Sequence, residues 1–286
     1  ILPHFHAFGL IIELLIFIFT SSIIIRDEKD GKDPENIIKL IDKWNVTHLN
    51  GVPLTIEKIL SLPKGTDYLR NLKGGIIGGA SITEKISSYL FGSNLRVGYG
   101  QTEASPGITL GEFGILYTNF LGNEVGCEVK IKEGELLFKG NNNFNSLFTG
   151  DFQDFSKERW IETGDIVEKK DNGYYFVSRK DFLIKLNNGK MLYPEKLELE
   201  LKNKISQITE ICIIPSKNNR VLILYNSLQE NLNDRIFTYL PDYLKKNSEI
   251  KFLKKSISIT PKGAVDRKKI ILEADSFETI SIFTGR

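Results

Sequence analysis

Helical and strand patterns alternate over the first hundred residues of the chain. Pro34 opens a run, residues 35–44, in which apolar side chains recur at helical spacing. Two short apolar runs, residues 74–80 and 95–100, are bounded by glycines and predict buried strands. Helices that alternate with buried strands fold as layered structures, so we predict an α/β core for residues 1–110.

The pattern changes after Gly111, where apolar and polar residues begin to alternate one by one. Such alternation is typical of antiparallel strands, which we predict at residues 124–131, 135–138, 166–168 and 173–177. Residues 111–177 are therefore predicted to form a β-rich subdomain. Beyond a charged run, a predicted helix at 194–204, strands at 212–215 and 221–225 and a helical stretch at 231–247 indicate a small α+β domain, residues 178–286.

Composition excludes some classes of function. The 286 residues are 41% hydrophobic and 26% charged, which is ordinary for a globular protein. A net charge of +2 offers no concentrated basic face, so no nucleic-acid partner is expected. Cys127 and Cys212 are far apart and fit no metal-binding spacing. They are interpreted as reduced thiols of a cytoplasmic protein, in preference to a disulfide.

The apolar run at residues 9–25 raises the question of a membrane span. A spanning helix needs about 20 apolar residues, whereas this run is shorter and contains Glu13 and the polar residues 20–22. We predict a buried helix, a turn and a core strand at 23–25, and no transmembrane segment. No charged segment or cleavage site precedes this run, so no secretory signal is predicted.

The segment Tyr99-Gly100-Gln101-Thr102-Glu103 follows a predicted strand and combines several ligand-binding groups. Ligands of open α/β sheets bind at the carboxyl ends of strands. Glycine allows close approach of a phosphate, threonine can donate to a phosphate oxygen, and glutamate is a hard oxygen ligand for Mg²⁺. A flat tyrosine ring can cover a base. The alternative is a surface turn with a solvated glutamate.

Further motifs follow in a fixed order along the chain. They are Gly78-Gly79-Ala80, Glu162-Thr163-Gly164-Asp165, Ser178-Arg179-Lys180-Asp181, residues 184–198 and residues 260–269. Together they resemble the adenylate-forming superfamily of acyl-CoA synthetases, firefly luciferase and the adenylation domains of nonribosomal peptide synthesis. The stretch Asn187-Asn188-Gly189-Lys190 followed by Tyr193-Pro194-Glu195 looks most like the long-chain fatty acyl-CoA synthetases. The resemblance extends from His6 to Arg267.

The resemblance implies a nucleotide site. Its implied nucleotide-binding residues are Gly78, Gly79, Ala80, Tyr99, Gly100, Thr102, Asp165 and Arg179. The first three would line the adenine slot, Tyr99 would pack on adenine, and Thr102 would hold a phosphate. Glu103 would bind Mg²⁺. Asp165 would accept hydrogen bonds from both ribose hydroxyls, a role suited to a carboxylate, and Arg179 would donate to the same ribose. The alternative for Asp165 is an ordinary turn residue.

Three further roles follow from the resemblance. His6, in Leu2-Pro3-His4-Phe5-His6, would lie beside the acyl pocket and steer the carboxylate; the alternative is a hydrogen-bonded core histidine. Asp181 would be the hinge about which the small domain rotates between half-reactions. Gly189 would leave room for the pantetheine arm of the incoming thiol. The alternative for Gly189 is a hairpin turn before the next helix.

Two departures from the family pattern stand out. Ala264 occupies the position of the catalytic lysine, whose charge would stabilise negative charge as it develops on the carboxylate and the α-phosphate. Either the residue was introduced to inactivate the protein or the natural protein adenylates poorly; the intact neighbouring residues favour the first. The family's Ser/Thr/Gly-rich phosphate loop has no counterpart in the sequence, so the chain resembles the C-terminal half or so of such an enzyme. A fragment, a proteolytic product and one piece of a split protein are all consistent with this, and the remaining N-terminal segment is an expected partner.

The resemblance implies an ATP- and Mg²⁺-dependent enzyme that activates a carboxylic acid, with a fatty acid favoured, as acyl-AMP. A thiol, either CoA or the pantetheine of an acyl carrier protein, would then capture the acyl group. Two alternatives stay open. One is a ligase that loads a carrier protein only, and the other is a non-catalytic protein that binds a nucleotide or acyl-adenylate.

Overall fold

The computed structural model describes residues 1–29, 31–144, 146–148, 152–154, 158–216, 220–228, 232–253, 256–260, 264–273 and 282–284. The chain divides into two compact units, Ile1–Phe176 and Val177–Arg286, which are described separately. None of the helices within these described ranges is long and apolar enough to cross a membrane.

The first unit begins with a π-helical segment, Gly9–Leu15, that continues into α1. Its α-helices are α1 (Ile16–Thr20), α2 (Pro34–Trp44), α3 (Pro53–Leu60), α4 (Gly65–Asn71) and α5 (Glu84–Leu90). Helix α2 confirms the prediction for residues 35–44. Its start is fixed by Asp33, whose side chain accepts a hydrogen bond from the Asn36 amide at 3.1 Å, and by proline at the first helical position.

An eight-stranded mixed sheet runs through the first unit in the order β1-β2-β3-β4-β10-β9-β6-β5. Its strands are β1 (Ile76–Gly78), β2 (Arg96–Tyr99), β3 (Thr109–Leu110), β4 (Phe120–Glu124), β5 (Cys127–Lys132), β6 (Glu135–Gly140), β9 (Ile161–Lys170) and β10 (Gly173–Arg179). A separate hairpin pairs β7 (Ser146–Phe148) with β8 (Phe152–Asp154). Strands β1 and β2 are parallel, whereas β3 pairs with both β2 and β4 in antiparallel fashion.

Two apolar clusters hold the first unit together. One lies between α2–α5 and the parallel strands and includes Ile37, Ile56, Leu69, Ile77 and Val97. The other lies under the antiparallel strands and includes Leu136, Phe138 and Tyr174. Burying a large aliphatic or aromatic side chain contributes roughly 1.5–3 kcal/mol. The two clusters correspond to the α/β part and the β-rich part that the sequence predicts, in that order along the chain.

The second unit is α+β. It contains a hairpin of β11 (Ile184–Lys185) and β12 (Met191–Leu192), and a four-stranded sheet of β13 (Ile208–Pro215), β14 (Val221–Ser227), β15 (Ser248–Phe252) and β16 (Ile282–Thr284). Its helices are α6 (Pro194–Lys204), α7 (Asn233–Tyr239), α8 (Asp242–Lys245) and α9 (Arg267–Glu273). Helix α6 coincides with the predicted helix, because proline opens it and Leu197 and Leu201 face the core.

The prediction for residues 9–25 is wrong in two respects. The helix is not buried, since Ile16, Ile18 and Phe19 are exposed and, of the π-helical segment and α1, Gly9 is the buried residue. Residues 23–25 form no strand, and Ile23 is 87% exposed. The outer edge of β1 is instead met by an isolated parallel bridge between Gly51 and Ile77, and His48 bridges Gly74 just before the strand. An apolar run alone does not reveal whether a partner surface exists.

Candidate functional site

Two residues of the predicted nucleotide site meet in the first unit. Tyr99 ends β2, and its hydroxyl donates a hydrogen bond to Asp165 Oδ2 at 2.7 Å. The two residues are 66 positions apart and reach each other across the sheet. Asp165 is 7% exposed, while Tyr99 is half-buried. A ring and a carboxylate are thereby held side by side at one end of a strand.

Asp165 lies within β9 and is not an ordinary turn residue. Glu135 of β6 pairs with Ile166 of β9, and Leu137 pairs with Glu162. Two steps along β6 therefore match four along β9, so the register shifts and β9 bulges. Gly164 adopts the left-handed conformation, φ +72°, that such a bulge demands. The bulge is fixed by Glu135, whose carboxylate accepts a hydrogen bond from the Gly164 amide at 2.9 Å. Glycine and aspartate at these positions therefore serve one local geometry.

Thr163 completes the support of this carboxylate. Its hydroxyl accepts a hydrogen bond from the Asp165 amide at 3.1 Å and donates to the Leu136 carbonyl at 2.8 Å. Sequence reasoning assigned no role to Thr163 or Glu135. Thr163 could have been found from its place in the Glu162-Thr163-Gly164-Asp165 motif. No local pattern indicates that Glu135, 29 residues before Gly164, holds the bulge.

The loop after β2 requires glycine at Gly100. A Cβ there would lie 1.6 Å from the Pro106 carbonyl oxygen, so backbone packs directly on backbone. The loop is closed by the Ile108 amide, which donates to the Tyr99 carbonyl at 2.9 Å. Thr102 and Glu103 lie in a short 3₁₀ turn, Thr102–Ala104. Thr102 is exposed and Glu103 is partly exposed, so both side chains can meet a ligand.

Glu103 is the residue predicted to bind a metal. Among the described residues its carboxylate makes no hydrogen bond or ion pair, so its oxygens are available. No group of three or more His, Cys, Asp or Glu side chains in the described ranges could hold a metal without other ligands. One carboxylate that acts together with substrate phosphates fits the way Mg²⁺ is usually held.

The N-terminal motif packs against the glycine-rich end of β1. Gly78 is buried, and a Cβ added to it would lie 3.6 Å from Phe8 Cε1 and only 2.5 Å from the Gly98 carbonyl oxygen. Gly79 is exposed and Ala80 is half-buried. His6 is exposed and its ring lies 4.6 Å from that of Phe5, so it is not the core histidine of the alternative interpretation.

The remaining predicted residues belong to the second unit. Arg179 ends β10 and Asp181 is in a 3₁₀ turn, Lys180–Phe182. Gly189 lies between β11 and β12 at φ +78°, with nothing within 4 Å of an added Cβ. The Ala264 carbonyl accepts a hydrogen bond from the Thr260 amide at 2.7 Å. Pro261, Lys262 and Gly263 of the last motif lie outside the described residues.

A different residue, Glu195, organises the segment that carries Arg179. Its carboxylate accepts a hydrogen bond from the Ser178 hydroxyl, and the Arg179 amide lies 3.5 Å from its other oxygen. The Ser178 hydroxyl is therefore satisfied by a carboxylate partner. The sequence signal for Glu195 was its place in the first turn of α6, directly after Pro194.

A surface depression of about 370 Å³ is lined by Gly126, Cys127, Glu128, Lys139, Gly140, Asn141 and Glu158. Neither Tyr99 nor Asp165 contributes to that lining. Cys127 and Cys212 are both free. Burial raises the pKa of the Cys127 thiol and raises that of Cys212 to about 12, so neither is an activated nucleophile.

Comparison with known proteins identifies the family. The family described as "AMP-binding enzyme" matches residues 1–147, just over half of the chain. This chain belongs to the AMP-binding enzyme family. A 2-succinylbenzoate–CoA ligase of Staphylococcus epidermidis is 27% identical to it, over 94% of this chain and 60% of the relative. Acyl-CoA ligase sidI of Aspergillus fumigatus is also 27% identical, over 70% of this chain and 38% of the relative.

Solved structures share the fold of this chain. ATP-bound MatB from Rhodopseudomonas palustris superposes with a TM-score of 0.79 at 19% identity, over 96% of this chain and 59% of that chain. Coronafacic acid ligase from Pectobacterium brasiliense gives a TM-score of 0.68 at 25% identity, over 92% and 55%. The chain thus spans about 60% of the length of the curated relatives it first matches. The 2-succinylbenzoate–CoA ligase and the coronafacic acid ligase are named for acids other than fatty acids. The finer resemblance to long-chain fatty acyl-CoA synthetases is therefore not confirmed.

Proposed function

We propose that this chain contributes the AMP-binding cleft of an ATP-dependent, AMP-forming acid–thiol ligase. The observation that carries the proposal is the hydrogen bond between Tyr99 and Asp165, because it joins a base-covering ring to a ribose-binding carboxylate. In the proposed reaction the acid's carboxylate attacks the α-phosphate of ATP, pyrophosphate leaves, and acyl-AMP forms. A thiol then displaces AMP and yields a thioester.

Each predicted site residue of the first unit has a proposed role in substrate binding. Tyr99 covers adenine, Asp165 accepts from the ribose hydroxyls, and Thr102 donates to a phosphate oxygen. Glu103 would hold Mg²⁺, which neutralises phosphate charge when bound. Gly78, Gly79, Ala80 and Gly100 let backbone approach the nucleotide closely, and His6 orients the acid's carboxylate.

The second unit is proposed to act in both half-reactions. Arg179 would donate to the ribose, Asp181 would serve as the hinge, and the Gly189 turn would admit the pantetheine arm. Residue 264 would face the reacting carboxylate and α-phosphate, where an alanine methyl cannot stabilise charge. We therefore propose weak adenylation by the present sequence and an intact thiol-acceptor step.

The acid and the thiol are proposed by class. We infer an organic acid with an apolar or aromatic body, since Phe5 and Phe8 flank His6 and one reported relative is named for 2-succinylbenzoate. A fatty acid is the second candidate. CoA is favoured as the thiol because the relatives are CoA ligases, with a carrier-protein pantetheine as the alternative. The free cysteines support a reducing, cytoplasmic compartment.

The test compares AMP with 2′,3′-dideoxy-AMP in calorimetric titrations of the chain and of Asp165→Asn. We expect the parent to bind AMP at least about tenfold more tightly than the dideoxy analogue, because hydrogen bonds to a charged group contribute roughly 1.5–3 kcal/mol. Asp165→Asn should lose most of that preference. The matched control is Asp171→Asn, because Asp171 is an exposed aspartate in the turn between β9 and β10. This variant should keep the preference for AMP.

Two outcomes would count against the proposal. One is equal affinity of the parent for both nucleotides, and the other is the same loss in Asp171→Asn as in Asp165→Asn. A non-catalytic nucleotide-binding protein would pass this test but would gain no adenylation when residue 264 is changed to lysine. Titration with sulfamoyl-adenosine analogues of succinylbenzoate, anthranilate and a long-chain fatty acid distinguishes the candidate acids.

A further inference from the structure

The loop that carries residue 264 is closed at its base by backbone hydrogen bonds. Ile259 and Val265 form an antiparallel bridge. The Asp266 amide donates to the Ser258 carbonyl at 2.8 Å, and the Thr260 amide donates to that of Ala264. Helix α9 starts at the next residue, Arg267. Any displacement of Arg267 is therefore passed directly to the stem of this loop.

Arg267 is buried against α6 and β13. It is 2% exposed, and its Nη2 lies 2.5 Å from Glu198 Oε1. The same oxygen accepts a hydrogen bond from the Ile213 amide at 2.6 Å. One carboxylate thus joins the loop stem, a helix and the central sheet of the second unit.

The other contact of Arg267 leads to the segment with the predicted hinge. Its guanidinium carbon lies 5.0 Å from the ring centroid of Phe182, within cation–π distance. Phe182 directly follows Asp181 in the 3₁₀ turn. The chain just before this turn is held by Glu195, one helical turn from Glu198 on α6. Both ends of the short segment 178–182 are thereby connected to the same helix.

The energetics of the pair favour a geometric role. A buried ion pair adds little net stability compared with apolar residues of similar volume. Moreover, Arg267 Nε has no hydrogen-bond partner within the described residues, and an unsatisfied buried donor costs roughly 1–3 kcal/mol. Arginine differs from lysine in its rigid planar fork, which can meet a carboxylate and an aromatic face at once.

We propose that Arg267 is a positioning residue that holds the described stem of this loop, residues 258–260 and 264–266, and the segment 180–182 as one body through Glu198 and Phe182. The side chain at position 264 would then keep its place relative to the hinge segment whenever the second unit moves. This role rests on the proposed function for its purpose, but the mechanical coupling can be tested without any activity.

The test is amide hydrogen exchange, read by NMR, on the full chain and on Arg267→Lys and Glu198→Gln. The reporting amides are Thr260 and Asp266 in the loop stem and Leu183 after the hinge segment, all hydrogen-bonded, with Leu224 in β14 as the reference for the core. We expect both substitutions to speed exchange at the three reporters by about tenfold and to change exchange at Leu224 far less, as for a local opening.

Arg220→Lys is the matched control, because Arg220 is a partly buried arginine of the second unit that donates to the Ser248 carbonyl and lies outside the Glu198–Phe182 contacts. It should change none of the three reporters. The proposal is overturned if the loop and hinge reporters do not respond, if only one of them responds, or if Leu224 accelerates equally, which would indicate a purely structural role. Failure here leaves the AMP-binding test of Asp165 unaffected, so the two proposals can fail separately.

Discussion

The carboxylates of Asp165 in the first unit and Glu198 in the second are equally buried, at 7% exposure, but they have different partners. Asp165 accepts a hydrogen bond from the neutral, half-buried hydroxyl of Tyr99. Glu198 faces the guanidinium of Arg267, which is itself buried. A carboxylate beside a neutral, partly exposed partner can exchange that partner for a ligand. A carboxylate neutralised inside a core cannot, so its effect must be on structure.

Removing each partner gives the largest expected difference between the two pairs. Arg267→Ala leaves an uncompensated buried carboxylate and should destabilise the second unit by about 3–5 kcal/mol. Tyr99→Phe removes one hydrogen bond to a carboxylate and should cost less, about 1.5–3 kcal/mol. Both tryptophans, Trp44 and Trp160, are in the first unit, so tryptophan fluorescence reports that unit and exchange of β14 amides reports the other. Similar losses in both variants would remove the distinction.

The next largest effect concerns the position that Arg267 is proposed to hold. Ala264→Lys should raise the rate of acyl-adenylate formation about a hundredfold or more, which corresponds to lowering the activation free energy by about 2.7 kcal/mol. The reason is that the new ammonium group stabilises charge that develops on the α-phosphate. The test uses a protein that also contains the segment of the relatives that this chain does not match. ATP–pyrophosphate exchange measures this rate. An unchanged rate would refute the assignment of residue 264, and Lys268→Ala is a control that should have no comparable effect.

The pH dependence of stability sharpens the comparison further. Burial raises the pKa of Glu198 to about 7, although Arg267 opposes this shift. The folded state therefore holds the proton of the Glu198 carboxyl more tightly than the unfolded state does. Protonated Glu198 contributes to stability below about pH 4.5, and this contribution is lost as the pH rises through 7. Exchange of β14 amides should therefore indicate a second unit that weakens between pH 5 and 7. Glu198→Gln should flatten that profile, whereas Glu195→Gln, on the same helix, should not.

The smallest expected effect is at a glycine. Gly189→Ala meets no neighbouring atom but strains a left-handed backbone, which costs about 1–2 kcal/mol. Gly126→Ala in the first unit has φ +73° and equally open surroundings, so it is the matched control for strain. Both should lose similar local stability, but only Gly189→Ala should slow the conversion of supplied acyl-AMP and CoA to thioester. Equal rates in the two variants would argue against a thiol passage at the β11–β12 turn.

Local sequence was sufficient for most of the elements. Pro34 and Pro194 mark the starts of α2 and α6 because proline fits only the first turn of a helix. Period-two alternation correctly gave β5, β6 and β10. The failure at residues 9–25 has a clear cause: hydrophobicity favours burial but does not supply the surface that buries it. The order of motifs was likewise sufficient to indicate the family.

The sequence by itself determined which segments become helices or strands and which residue types are available for chemistry, because capping, periodicity and glycine freedom act over a few neighbouring residues. Only the tertiary structure decided which of these residues meet. Tyr99 and Asp165 are 66 positions apart, and Glu198 and Arg267 are 69 apart. Such pairs form when sheet register and helix packing bring distant backbone together, and no local pattern encodes that register.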